Sequence, residues 1–171
     1  MILLFLTFTI SVFAQNSSYN ANTISIEGNY STAFGFGVLT STTGQNNTGS
    51  GAYSLNANTS GYSNTATGTS SLRLNTAGSY NTANGHNSLY YNNGNSNTAN
   101  GYNSLYANTT GNNNTAMGDS AGYLNTGSKN VFLENYAGYY ETTGSNKTIL
   151  YGDFSTGQVL MGNPTPNKLY F

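Results

Sequence analysis

Residues Gly118-Asp119-Ser120-Ala121-Gly122 spell G-x-S-x-G, the pattern in which a strained strand-to-helix turn exposes a nucleophilic serine. A serine needs a base, and the chain's one histidine, His86, precedes Ser120 instead of following it. The hydrolase order of serine, acid and histidine therefore cannot be completed downstream. His86 has no second ligand type near it in sequence, so it does not announce a metal site. The five acidic residues, Glu27, Asp119, Glu134, Glu141 and Asp153, are too scattered to pair as general acid and base. Calcium-binding nonapeptide repeats would also need an aspartate in every copy, and that residue is missing. The reading is non-enzymatic, with no catalytic residue, cofactor or metal expected.

The G-x-S-x-G match has a simpler source, because it is one copy of a phrase that elsewhere reads Gly-His-Asn-Ser-Leu or Gly-Tyr-Asn-Ser-Leu. Aligning on Asn-Thr-Ala-x-Gly places glycines at Gly35, Gly51, Gly68, Gly85, Gly101 and Gly118, in steps of 16 or 17 residues, with Glu134 in the seventh place. A second glycine recurs at Gly44, Gly61, Gly78, Gly94, Gly111, Gly127 and Gly144. From Gly44 onward the distance from a second glycine to the next first-type position is always 7, whereas the return distance is either 9 or 10. One segment of each repeat is held to length and the other absorbs the slack. A stack of coils in register requires that division.

The elements must be strands. Asn, Gly, Thr and Ser disfavour helix interiors, and no apolar stripe at 3.6-residue spacing appears. A 16- or 17-residue repeat suits two short strands and two turns, with glycines supplying positive φ at the turns and asparagines stacking on their counterparts one coil away. The expected fold is all-β, a left-handed parallel β-roll or β-solenoid. Ala33, Ala66, Ala83, Ala99 and Ala116 form one inward column, and Leu39, Leu55, Leu72, Leu89 and Leu105 another. Ser54, Ser71, Ser88 and Ser104 hold a small-residue column continued by Ala121 and Ala137. So narrow an apolar seam must order a long backbone, and lateral association is expected to help it.

Charge is nearly absent from the 171 residues: four basic side chains, five acidic, net charge −1. Without a basic cluster there is nothing to displace counterions from a phosphate backbone, so no nucleic-acid partner is expected. Fifteen Tyr and eight Phe argue against a disordered chain, and the absence of cysteine leaves the redox compartment unread. Residues 1–14, an apolar run ending in Val12-Phe13-Ala14 before polar Gln15, read as a secretory signal peptide, in preference to a buried first strand. That run is too short to span a bilayer, and no transmembrane segment is expected in the mature chain.

Two outward columns are candidates for contact. Arg73, Tyr90, Tyr106, Tyr123 and Tyr139 follow the Leu or Gly of their coils and should stack along one edge, Arg73 over Tyr90. Tyrosine offers a large amphipathic surface at small entropic cost, and with His86 this column is the candidate binding face. The sequence favours, over that reading, a ladder that packs between protomers or against its own coil neighbours. Thr32, Thr48, Thr65, Thr82, Thr98 and Thr115 form a second rank at strand spacing, the way flat ice-binding solenoids display hydroxyls, although the rank could equally face inward.

The phrases Asn-Thr-Ala-Asn-Gly-His-Asn-Ser-Leu and Asn-Thr-Ala-Asn-Gly-Tyr-Asn-Ser-Leu resemble the YadA-like head repeats of trimeric autotransporter adhesins and related bacterial surface and tail-fibre proteins. The resemblance covers about residues 31–152. It implies a left-handed parallel β-roll, a homotrimer, and display at the bacterial cell surface as an adhesin. The family's heptad stalk and four-strand membrane anchor do not follow, so a truncated gene or fragment is expected. The organisation read from the sequence is a signal peptide over 1–14, an N-terminal cap over 15–30, head repeats over 31–152 and a C-terminal transition segment over 153–171.

Overall fold

The structure, a computed structural model, describes residues 30–40, 42–133 and 135–138, together with the backbone of two later strands at 150–153 and 158–160. Strands β1 (Thr32–Phe34), β2 (Thr48–Ser50), β3 (Thr65–Thr67), β4 (Thr82–Asn84), β5 (Thr98–Asn100), β6 (Thr115–Met117) and β7 (Asn130–Leu133) lie side by side in sequence order. All are parallel, and threonine pairs with threonine from β1 through β6. Consecutive parallel neighbours joined by one repeat each make a β-solenoid, as the spacing of the glycines demanded, and no helix occurs among the described residues. After β7 the direction reverses: β8 (Leu150–Asp153) pairs antiparallel with β7, and β9 (Gln158–Leu160) antiparallel with β8.

The core is the thin seam expected from the columns. Ala33, Ala66, Ala83, Ala99 and Ala116 point inward from the strands, and Leu39, Leu55, Leu72, Leu89 and Leu105 close the opposite side, none more than 2% exposed. The last coils solve the same packing problem differently. Phe132 takes the alanine place of β7, and Gly122 and Gly138 take the leucine place. A Cβ on Gly122 would stand 2.7 Å from Phe132 Cδ2 and 2.9 Å from Leu105 Cδ2. One large ring on the strand side therefore fills the space that leucines fill upstream.

Each coil holds one extended strand where two were expected. The second hydrogen-bonded column is present, for Leu72 N–H donates to Ser88 O at 2.9 Å and Leu89 N–H to Ser104 O at 3.0 Å. Its leucines, however, adopt left-handed φ values, 47° to 51° from Leu39 to Leu105, so the backbone turns there and does not run straight. The left-handed region costs a non-glycine residue roughly 1–2 kcal/mol; complete burial of each leucine offsets it.

The two glycine columns work by different means. The first-type glycines take φ between +119° and +139°, which side-chain-bearing residues rarely adopt. The second-type glycines from Gly44 to Gly127 do not have positive φ, contrary to the expectation for every turn. From Gly44 to Gly111 they are required by close approach: a Cβ on Gly61 would collide with Gly78 O and Asn58 Oδ1.

Those crowded glycines sit between two buried asparagine ladders. In the first, Asn64, Asn81, Asn97, Asn114 and Asn130 each donate a backbone N–H to the side-chain oxygen of the preceding rung, at 2.9–3.0 Å. In the second, Asn75, Asn92 and Asn108 donate an amide N–H to the preceding rung's oxygen at 2.8–3.2 Å. Both ladders converge on the glycine carbonyls. Gly111 O accepts from Asn97 Nδ2 at 2.8 Å and from Asn108 Nδ2 at 2.9 Å, and Gly61, Gly78, Gly94 and Gly127 O repeat the arrangement. Burial without partners would be costly, and nearly every buried carboxamide atom here is paired. The one carboxamide exception among the described residues is Asn130 Oδ1, and the buried hydroxyl of Ser54 is the other side-chain atom without a partner there.

The variable coil length has a single location. Between the second-ladder asparagine and its glycine lie two residues in the long coils (Thr59-Ser60, Thr76-Ala77, Thr109-Thr110) and one in the short coils (Asn93, Thr126). Thr76 O accepts from Thr59 N, Ser60 N and Thr59 Oγ1, at 3.0, 3.0 and 2.8 Å. In the short coil the side chain of Asn93 replaces that carbonyl: its Oδ1 accepts from Thr76 N, Thr76 Oγ1 and Ala77 N, at 2.7, 2.8 and 3.2 Å.

Candidate functional site

The strands set which side chains reach solvent. Alternation along Thr82-Ala83-Asn84 buries the alanine and exposes both flanking residues, and β1, β3 and β5 behave likewise. Period two thus answers the question left open for the threonine rank: Thr32, Thr48, Thr65, Thr82 and Thr98 are exposed and Thr115 half-exposed. Among the described residues none of these six hydroxyls has a hydrogen-bond partner. A second rank flanks the first, but its chemistry changes from Phe34 through Ser50, Thr67, Asn84 and Asn100 to Met117, and Val131 ends the threonine rank at β7.

The tyrosine column forms on the coil side away from this face in sequence, just after the buried leucines. Tyr90 and Tyr106 stack with centroids 5.2 Å apart, and Tyr106 and Tyr123 at 4.9 Å with planes 1° apart. The inter-coil step of about 4.8 Å brings successive rings to this separation. Arg73 lies 4.8 Å from the Tyr53 centroid and 5.8 Å from that of Tyr90, so its guanidinium extends the stack upstream. Tyr53 and Tyr91 were not assigned to this face by sequence. Tyr91 meets Tyr106 edge-on at 5.3 Å with an interplanar angle of 88°. Their signal was present, since each lies next to, or one turn from, the column already identified. Tyr139 lies outside the described residues.

Burial within this cluster, followed by the neighbouring Tyr91 hydroxyl, pushes the Tyr106 phenol up to about 12. Charged phenolate is disfavoured where water is displaced and other phenols crowd around.

His86 does not join the tyrosine stack. It stands in a separate exposed column and stacks on Tyr102, with centroids 5.4 Å apart and planes 11° apart. A third pair, Tyr62 and Tyr80, meets edge-on at 4.9 Å on the surface of the glycine–asparagine turn. The face inferred from sequence is therefore two stacks, one of them built from Arg73, Tyr90, Tyr106 and Tyr123.

Ser120 of the G-x-S-x-G phrase is 4% exposed and left-handed, at φ 54°. Its hydroxyl donates to Asp119 Oδ1 at 2.7 Å, and turns, not a helix, follow it. No group of three or more His, Cys, Asp or Glu side chains gathers among the described residues. Nor does any described helix have the length and apolarity to cross a membrane.

These observations define the molecule as a parallel β-solenoid with repeated outward columns. No family model, curated protein or solved structure matches the chain.

Proposed function

We propose that this chain is a secreted, non-enzymatic attachment module, the head of a surface fibre, built as a left-handed β-roll and assembled as a homotrimer. The observation that carries the proposal is the register of half-buried aromatic side chains stacked along one edge: Tyr90, Tyr106 and Tyr123 repeat at the coil spacing. A rod that presents the same shallow contact several times gains avidity through effective concentration, and three chains side by side would multiply it. The resemblance of the Asn-Thr-Ala-x-Gly repeats to YadA-like adhesin heads supports the same reading, as does the slenderness of the apolar seam. Sedimentation equilibrium of residues 15–171 tests the assembly, with a trimer expected and a stable monomer removing its central feature. Binding to immobilised matrix proteins and glycans tests the attachment. Replacing Tyr90, Tyr106 and Tyr123 together by Ser should abolish retention if this column is the contact face.

A second reading is favoured by a separate observation. Six threonines in register face outward with hydroxyls not engaged among the described residues, which suits an ordered water lattice such as ice. Thermal hysteresis of the purified chain decides it. The ice-binding reading expects activity that Thr82→Tyr removes; the attachment reading expects none.

A further inference from the structure

The sequence contains three Asn-Gly pairs, Asn84-Gly85, Asn93-Gly94 and Asn100-Gly101, and all three asparagines are exposed. Asn-Gly is the dipeptide in which a main-chain nitrogen most easily reaches the preceding side-chain carbonyl, because glycine has no Cβ to obstruct the approach. The fold treats the three pairs differently. Gly85 N–H donates to Thr67 O at 2.8 Å and Gly101 N–H to Asn84 O at 2.8 Å, so both nitrogens are held in the coil-to-coil ladder. Gly94 N–H has no hydrogen-bond partner among the described residues.

The electrophile at Asn93 is also distinctive. Three donors, Thr76 N, Thr76 Oγ1 and Ala77 N, converge on Asn93 Oδ1 at 2.7, 2.8 and 3.2 Å. Donors aimed at a carbonyl oxygen withdraw electron density from its carbon and stabilise the negative charge that an attacking nucleophile places on that oxygen. Asn84 and Asn100 lack such a set. Asn84 Nδ2 donates to Asn100 Oδ1 at 3.2 Å, a single neutral contact.

We propose that Asn93–Gly94 is a self-modifying bond of the solenoid, deamidating spontaneously through a cyclic imide while Asn84 and Asn100 are protected. The Gly94 nitrogen gives its proton to water and forms a bond to Asn93 Cγ. The Cγ–Nδ2 bond then breaks, and ammonia leaves with a proton from solvent. Water next opens the imide at either carbonyl, giving an aspartyl or an iso-aspartyl linkage, with no oxidant or reductant involved. The aspartyl product suits the three donors, since a carboxylate is the stronger acceptor. The iso-aspartyl product adds a methylene to the main chain at the turn that carries one residue where the neighbouring coils carry two.

The test is peptide mapping by mass spectrometry of the purified full chain, aged at mildly alkaline pH, folded and in guanidinium, with fragmentation that distinguishes iso-aspartate. Reaction at Asn84 or Asn100 must first release a ladder hydrogen bond, so those sites should convert roughly tenfold or more slowly than Asn93 in the folded chain. In guanidinium the three rates should converge, and Asn93→Gln should remove the dominant signal. The proposal is overturned if Asn84 or Asn100 converts as fast as Asn93 in the folded chain. It is equally overturned if folded Asn93 stays intact while the guanidinium sample is converted.

Discussion

Removing one rung of the buried asparagine ladder should destabilise the coil stack far more than removing an exposed asparagine of the same type. Asn97 is fully buried, and its Nδ2 donates to Gly111 O at 2.8 Å, to Asn92 Oδ1 at 3.1 Å and to Asn81 Oδ1 at 3.2 Å. Its own Oδ1 accepts the backbone N–H of Asn114 at 2.9 Å. Asn97→Ala deletes all of these at once. Gly111 O retains Asn108 Nδ2 at 2.9 Å, so the worst loss is the Asn114 N–H, left buried without its acceptor. An orphaned buried donor costs about 1–3 kcal/mol and each of the three lost bonds a net 0.5–1.5 kcal/mol, which gives roughly 2.5–7.5 kcal/mol in total. Asn95 supplies the control. It is exposed, its Oδ1 accepts Ser79 N–H at 2.8 Å, and water can replace that acceptor, so Asn95→Ala should cost about 1 kcal/mol or less. Urea unfolding compares the two through the midpoint at constant slope. A reduced slope in Asn97→Ala would report coils that no longer melt together. The reasoning is refuted if Asn97→Ala lies within about 0.5 kcal/mol of Asn95→Ala, since the ladder would then be ornament on a stack held by other forces.

Three further outcomes follow from particular contacts. Phe132→Ala should destabilise by about 3–5 kcal/mol, and adding Gly122→Leu should recover part of the loss, because leucine is what the upstream coils use in that space; thermal unfolding of the single and double variants measures the recovery. Gly61→Ala should prevent native stacking at that coil, since the new Cβ meets Gly78 O, and loss of the far-UV strand signal or of soluble protein reports it. The Tyr106 phenol is raised from 10.0 to about 12, so the folded chain keeps a proton that the unfolded chain releases. Its contribution to stability is complete below pH 10, declines from there, and is gone above about pH 12; ultraviolet titration should resolve this late phenol, and Tyr91→Phe should move it earlier.

The strand register was legible because the repeat phrase carries its own ruler: Asn-Thr-Ala recurs with a fixed distance behind it, so Thr65 could pair only with Thr48 and Thr82. The inward alanines and leucines followed from the same alignment. The left-handed leucines were not legible, since intrinsic preference argues against that conformation and only complete burial tolerates it. Nor was the exchange at Phe132, where an alanine column turns aromatic; the available signal was glycine in the leucine column at Gly122 and Gly138. The outward direction of the threonines could have been read from period two once their neighbours were placed inside. The partition of the binding face into two stacks could not, because His86 and Tyr90 share a coil and differ only in the direction the backbone turns between them.

The reversal after β7 bears on how such a chain could change length. A strand running backward occupies the border where another parallel rung would dock, so the winding terminates there whatever its number of coils. Each rung recognises its neighbours through the same asparagines and glycines. Duplicating a repeat anywhere upstream would therefore add a fixed increment of height while leaving the terminator untouched, making reach a trait that evolution can adjust in whole steps.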